Sequence, residues 1–300
     1  MTRRISPSHI LIRQPLNALS RLLPAAQKGD VPSLHQARVA TRRLREALPL
    51  VATGTRGRKI ERDVRRVTQA LGPVRELDVA LLMLDEFAAD PDVPAAALGR
   101  LRQAIRRERQ SLQTDMWRQL DRVDLAKLRR RAEAAARKSC AATGTGRRRD
   151  PGQLAAAEQR AARRAARLTG AIENAAGIYL PDRLHQVRIA VKKLRYALEL
   201  TRELSGSRAL ANLRMLKTTQ DLLGRMHDLE ILITRIRALQ GSAGGPSLRL
   251  SGELDRLVRR LETECRKLHG QYIASRRKLL STCEHTLDVA ARHAGAASAA

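Results

Sequence analysis

The chain has 300 residues, 58 of them basic and 30 acidic, for a formal net charge of +28. Such an excess opposes compaction unless a polyanion or counterions offset it, so the composition points toward an anionic partner. Aromatic residues make up only 2% of the chain, too few for the stacking platforms that bind single strands regardless of sequence.

Ala, Leu, Arg, Glu and Gln fill most segments. All of them favour helix, and strand signals are nearly absent. The opening "MTRRISPSHILIRQPLNALSRLLPAAQ" carries twin arginines in the manner of an export signal. Arg13, Gln14, Asn17 and Arg21 interrupt any apolar core there, so an amphipathic helix over 8–27 is expected instead. Breakers such as "KGDVP", "TGTRG", "LGP" and "AADPDVP" then delimit helices over 32–51, 57–70, 74–87 and 94–138, the last broken near Asp121–Asp124. "ATGTGRRRDPG" lies within a basic linker at 141–152. It follows a helix rather than a strand, so it does not read as a phosphate loop. Beyond it, helices are expected over 153–176, 181–204, 207–223, 226–240 and 250–291, with 292–300 fraying.

The fold class is therefore all-α, with two tandem, pseudo-symmetric antiparallel helical bundles at 8–140 and 153–291 making up one domain over 1–300. The charge is shared between them, 32 basic against 16 acidic residues in 1–150 and 26 against 14 in 151–300. No run of about 18 apolar residues occurs, so no membrane span is expected. Cys140, Cys265 and Cys283 form no CxxC pair and read as reduced thiols of a cytoplasmic chain.

The tandem reading rests on a repeated phrase. "LHQARVATRRLREAL" at 34–48 returns as "LHQVRIAVKKLRYAL" at 184–198, with nine of fifteen positions identical. Leu184, Val187, Val191, Leu194 and Leu198 step by three and four, the spacing of a helix seam packed into a core. His185, Arg188, Lys192 and Arg195 lie one position on, forming a stripe rotated about 100° from that seam. In the first copy Leu34, Ala37, Thr41, Leu44 and Leu48 form the seam, and His35, Arg38, Arg42 and Arg45 the stripe. Arg43 and Lys193 broaden each stripe.

Like charges at these spacings destabilise a lone helix. A solvated basic face is the simplest account of one such stripe. Its recurrence in the same register, with His at the same end, favours a shared anion site. The next helices repeat too, at an offset of 152: Arg62 and Arg65 align with Arg214 and Lys217, and Arg75 with His227. Arg75 and His227 follow Gly72 and Gly224, read as helix ends whose free N–H groups would also attract an anion. Glu76 and Asp228 are expected to cap helices or to pin basic side chains.

The repeated phrase, its "LG" follow-on in "ALGPVRELDVALL" and "LLGRMHDLEILI", and the internal duplication resemble the CHAD family, the conserved-histidine α-helical domains, over about residues 8–290. The resemblance implies two helical bundles around a basic central channel that binds inorganic polyphosphate, often at polyphosphate granules. It makes His35 and His185 the name-giving histidines and places Arg38, Arg42, Arg45, Arg188, Lys192 and Arg195 along the channel. Two departures stand out: Glu46 where the second copy has Tyr196, and Thr41 where it has Val191.

Catalysis is not expected. "ETECR" at 262–266 lacks the final Lys and the surrounding strands of a triphosphate-processing ExExK site. His227-Asp228 is repeated as Arg75-Glu76, without the further ligands of a metal phosphohydrolase. No metal and no cofactor are expected. The expected function is binding of polyphosphate by a stand-alone, cytoplasmic, granule-associated protein. The alternative readings are a basic helical protein that binds nucleic acid and a scaffold for protein partners.

Overall fold

The computed structural model describes residues 7–52, 54–142, 151–206, 211–242 and 246–298. Among them the chain forms helices and no strand: α1 (Pro7–Gln27), α2 (Val31–Val51), α3 (Gly54–Phe87), α4 (Ala95–Asp121), α5 (Leu125–Ala142), α6 (Pro151–Ala175), α7 (Pro181–Ser205), α8 (Ala211–Gln240) and α9 (Leu248–Ser298). Residues 143–150 of the expected linker lie outside the described residues. α9 continues to Ser298, past the end expected at 291.

The helix ends follow local chemistry. Gly29 adopts φ 94° and Asp30 caps α2 by accepting from the Ser33 amide at 2.9 Å, with Pro32 in the first turn. α7 stops at Gly206, whose φ of 66° is the left-handed C-cap conformation. The expected break in the fourth helix is present, and there Asp124 accepts from the Lys127 amide at 2.7 Å to start α5.

Gly72 and Gly224 do not end helices. α3 and α8 run unbroken through them, so no free helix N-terminus stands beside Arg75 or His227. Leu71 and Val74 beside the first glycine, and Leu223 and Met226 beside the second, are buried. Their burial outweighs the roughly 1 kcal/mol that a mid-helix Gly costs. Pro73 also sits inside α3 and lacks the N–H that would bond the Gln69 carbonyl.

The seams pack as their spacing requires. Leu34, Ala37, Thr41, Leu44 and Leu48 are buried, as are Leu184, Val187, Val191 and Leu194, while Leu198 is partly buried. Helix partners recur in order: α1 with α2, α2 with α3 and α3 with α4, then α6 with α7, α7 with α8 and α8 with α9. α5 packs on α1 as α9 packs on α6. The two cores nevertheless do not part at the linker. α3 leaves the first core after Val74 and enters the second at Leu77, and Leu200 and Leu204 of α7 join the first. Contacts of α2 with α7 and α3 with α8 then join the halves, which brings the two basic stripes together.

Candidate anion site

The stripes of α2 and α7 meet at close quarters. The positive charges of Arg42 and Arg188 bear on Arg38, and those of Arg188, Arg42 and Arg38 bear on Lys192. Arg75 of α3 joins from the side and is acted on by Arg42. Asp228 of α8 places a carboxylate inside this group, with Oδ1 4.0 Å from Arg188 Nη2, while Glu76 acts on Arg38 and Asp78 on Arg75. Burial raises the pKa of Asp228 against the opposing pull of Arg188, Arg75 and Lys192.

Burial and like charge act together on the cations. Arg38 is pulled down to about 10 by burial, then by Arg42 and Arg75. Lys192 is pulled down to about 7 by burial, then by Arg188, Arg42 and Arg38. Burial is also the first cause of the lowered pKa of Arg75 and Arg188. A charge in such surroundings normally has a partner. Here Arg75 Nη1, Arg188 Nε and Arg45 Nε are buried with no hydrogen-bond partner among the described residues.

The histidines stand at two cavities flanking this group. One, of about 930 Å³, is lined by His35, Arg75, Asp78 and Arg109. The other, of about 610 Å³, is lined by His185, His227, Asp182 and Glu230. His185 and His227 approach through their Nδ1 atoms at 3.2 Å, so one ring must donate and the other accept. Burial and nearby Arg and Lys charges push His227 down to about 4 and lower His185 and His35 as well. All three rings favour the neutral form until an anion compensates these charges.

Each loop that leads into a repeated helix is anchored by an acid from the following helix. Asp78 is buried and accepts from Arg109 Nε at 2.6 Å, and Arg109 also donates to the Gly29 carbonyl at 3.3 Å. In the second half Tyr179, just before α7, donates its hydroxyl hydrogen to Glu230. Arg235 of α8 bonds Glu76 of α3 at 3.1 Å and also Glu108 of α4. Glu76 thus pins a basic side chain across the halves and does not cap a helix.

The remaining expected residues sit farther out. Arg62, Arg65, Arg214 and Lys217 are exposed along α3 and α8, and Lys217 pairs with Asp221 at 3.8 Å. Arg195 is held by Gln220 at 2.9 Å and by Glu199, with its guanidinium 4.4 Å from the Tyr196 ring. Arg43 is exposed and acts on Glu203, while Lys193 is exposed toward Arg164, Arg167 and Arg45. Arg160, Arg163, Arg164 and Arg167 of α6 stand outside the residues expected from the repeated phrase. Their spacing of three, four and seven residues was the available signal. Among the described residues no cluster of His, Cys, Asp and Glu could hold a metal ion, and no helix is long and apolar enough to cross a membrane.

The fold is all-helical and presses two basic stripes into one half-buried cluster. The family model described as CHAD domain matches residues 11–237, and the chain belongs to that family. Two solved structures share the fold. The CHAD domain from the plant Ricinus communis is 21% identical, with a TM-score of 0.62 over 93% of this chain and 90% of that one. PptA from Streptomyces chartreusis is 16% identical, with a TM-score of 0.52 over 95% of this chain and 98% of that one. A comparison with curated proteins finds no match.

Proposed function

We propose that this chain binds inorganic polyphosphate, without catalysis, in a channel lined by the α2 and α7 stripes. The observation that carries the reading is the set of buried, unpartnered nitrogens of Arg75, Arg188 and Arg45. A buried donor left unpaired is costly, and phosphate oxygens are the acceptors that guanidinium forks match best. Membership in a family associated with polyphosphate and triphosphate binding supports it. Half-burial of Arg38, Arg42, Arg188 and Lys192 favours a thin chain over a duplex, whose phosphates lie on a broad surface.

Binding would release counterions along the stripes and draw protons onto Lys192 and the histidines. We place the protein in the cytoplasm, at polyphosphate granules. The test is a competition between long-chain polyphosphate and duplex DNA at physiological salt, with released orthophosphate followed in parallel. Polyphosphate should displace DNA at equal phosphate concentration, with no orthophosphate released. Preference for the duplex would move the assignment to a nucleic-acid-binding protein, and steady phosphate release would make the chain an enzyme.

A further inference from the structure

The two ends of the basic cluster differ in charge. On α6, Arg160, Arg163, Arg164 and Arg167 share one helix face, and Arg45 of α2 and Lys193 of α7 lie against it. Glu46 faces this group, with Oε2 accepting from Arg160 at 3.0 and 2.9 Å and Oε1 3.8 Å from Arg164. Glu46 thus acts on Arg160, Arg164 and Lys193 within a group of six cations. Arg167 and Lys193 form no ion pair among the described residues, and Arg45 Nε is buried and unpartnered.

The equivalent face of α1 lacks this charge. The buried seams of the two helices, Ile12, Leu16, Leu19, Leu23 and Ala26 in α1 and Ala161, Ala165, Leu168, Ile172 and Ala175 in α6, align at an offset of 149. That offset sets the four arginines against Leu11, Gln14, Pro15 and Ala18. Carboxylates are more plentiful beside it, where Glu199 pairs with Arg195 and Glu203 lies within the field of Arg43. Tyr196 takes the place of Glu46 there and packs under Arg195.

We propose that a polyphosphate chain leaving the central cluster is received by the α6 face, and not by α1. The proposal rests on the polyphosphate reading and extends it to a second stretch of the same ligand. Arg45 hands the anion from the α2 stripe to Arg164 and Lys193, and Arg160, Arg163 and Arg167 track the next phosphates. Glu46 competes with those phosphates for Arg160 and Arg164. A short anion fills the central cluster alone, so only long chains feel α6.

The test uses the full chain with Arg163→Ala/Arg167→Ala, two exposed positions where Ala keeps the helix. Tripolyphosphate and long-chain polyphosphate are titrated over a range of salt concentrations. Long-chain affinity is expected to fall about tenfold, and the slope of log K against log salt to shrink by about 1.4, roughly 0.7 for each lost contact. Tripolyphosphate affinity should not change. Glu46→Gln is expected to tighten long-chain binding, and Arg13→Ala to leave it unchanged. Long-chain affinity within about twofold of the parent in the α6 variant, with an unchanged salt slope, would overturn the α6 track while leaving the central site standing. So would an equal loss in Arg13→Ala, or weaker long-chain binding in Glu46→Gln. Failure of the unaltered protein to bind either ligand would instead remove the polyphosphate reading, and this proposal with it.

Discussion

The Arg38 guanidinium lies across the bare face of Gly72, with Nη1 3.1 Å from where a Cβ would stand and 3.3 Å from the Thr68 carbonyl oxygen that accepts from it. Arg188 stands over Gly224 in the same way but more loosely, its Nε 3.9 Å from the corresponding Cβ position. In the first copy the glycine makes room for an arginine of the neighbouring helix, whereas at Gly224 a Cβ would meet Arg188 only at ordinary contact distance. The close approach of Arg38 gives α3 a reason to carry a residue that weakens helices.

Gly72→Ala should therefore shift the end of Arg38 by a few tenths of an ångström and disturb its bond to Thr68. Polyphosphate affinity is expected to fall by about three- to tenfold, in line with one weakened charge-assisted contact. Gly224→Ala meets only ordinary van der Waals contact and should raise stability by about 0.5–1 kcal/mol with little change in binding. Thermal melts and isothermal titration of both variants check this, and equal binding losses would contradict the packing argument.

Much of this arrangement was legible in the sequence. The seam and stripe of α2 and α7 followed from spacing alone, because a helix facing a core leaves its burial pattern in the chain. Three features were not legible. Gly72 and Gly224 read as helix ends because the side chains that lie over them, Arg38 and Arg188, come from another helix about 35 residues away. The transfer of α3 between cores leaves no local signal, since Val74 and Leu77 continue one seam. The α6 arginines follow the same i, i+3, i+4 spacing as any solvated face, and only tertiary packing sets Lys193 and Arg45 beside them.

Protonation gives the next prediction. Lys192 is pulled down to about 7 and His227 to about 4, with His35 and His185 also lowered. A bound polyanion favours the charged forms, raising all four and making binding take up protons. Affinity should therefore rise as pH falls from 8 toward 6. Titration in buffers of different ionisation enthalpy should show net proton uptake, and an affinity independent of pH over that interval would count against it.

The same shift sets the stability of the anion-free protein. An unfolded Lys titrates near 10.4, so between about 7 and that value the unfolded chain binds more protons than the folded one. Stability must then rise with pH across that window, as the cost of holding Lys192 uncharged in its buried, cationic surroundings falls. The Tm of the anion-free protein is expected to be higher at pH 9 than at pH 7, and Lys192→Met should flatten the dependence.

The Asp78–Arg109 pair anchors the loop before α2. The Asp78 side chain is only 1% exposed, and Arg109 keeps Gln113 and the Gly29 carbonyl as further partners. Asp78→Ala would strand a largely buried guanidinium, with an expected cost of about 3 kcal/mol. Chemical denaturation measures it, and a loss under about 1 kcal/mol would mean that the other two partners suffice.

The central claim is that the anion sits where the α2 and α7 stripes meet, and it is tested most directly by moving charge there and elsewhere in equal amount. Arg42→Glu/Lys192→Glu places two carboxylates inside the cluster, whereas Arg256→Glu/Arg259→Glu makes the same net change on the exposed side of α9. With both variants shown to be folded by circular dichroism, long-chain polyphosphate is titrated at physiological salt. Each charge-assisted contact is worth roughly 1.5–3 kcal/mol, so the central pair should lose at least about a hundredfold in affinity. The α9 pair should lose only the modest, salt-screened share due to overall charge. Equal losses in the two folded variants would contradict the account, because total charge and not the meeting of the stripes would then govern binding.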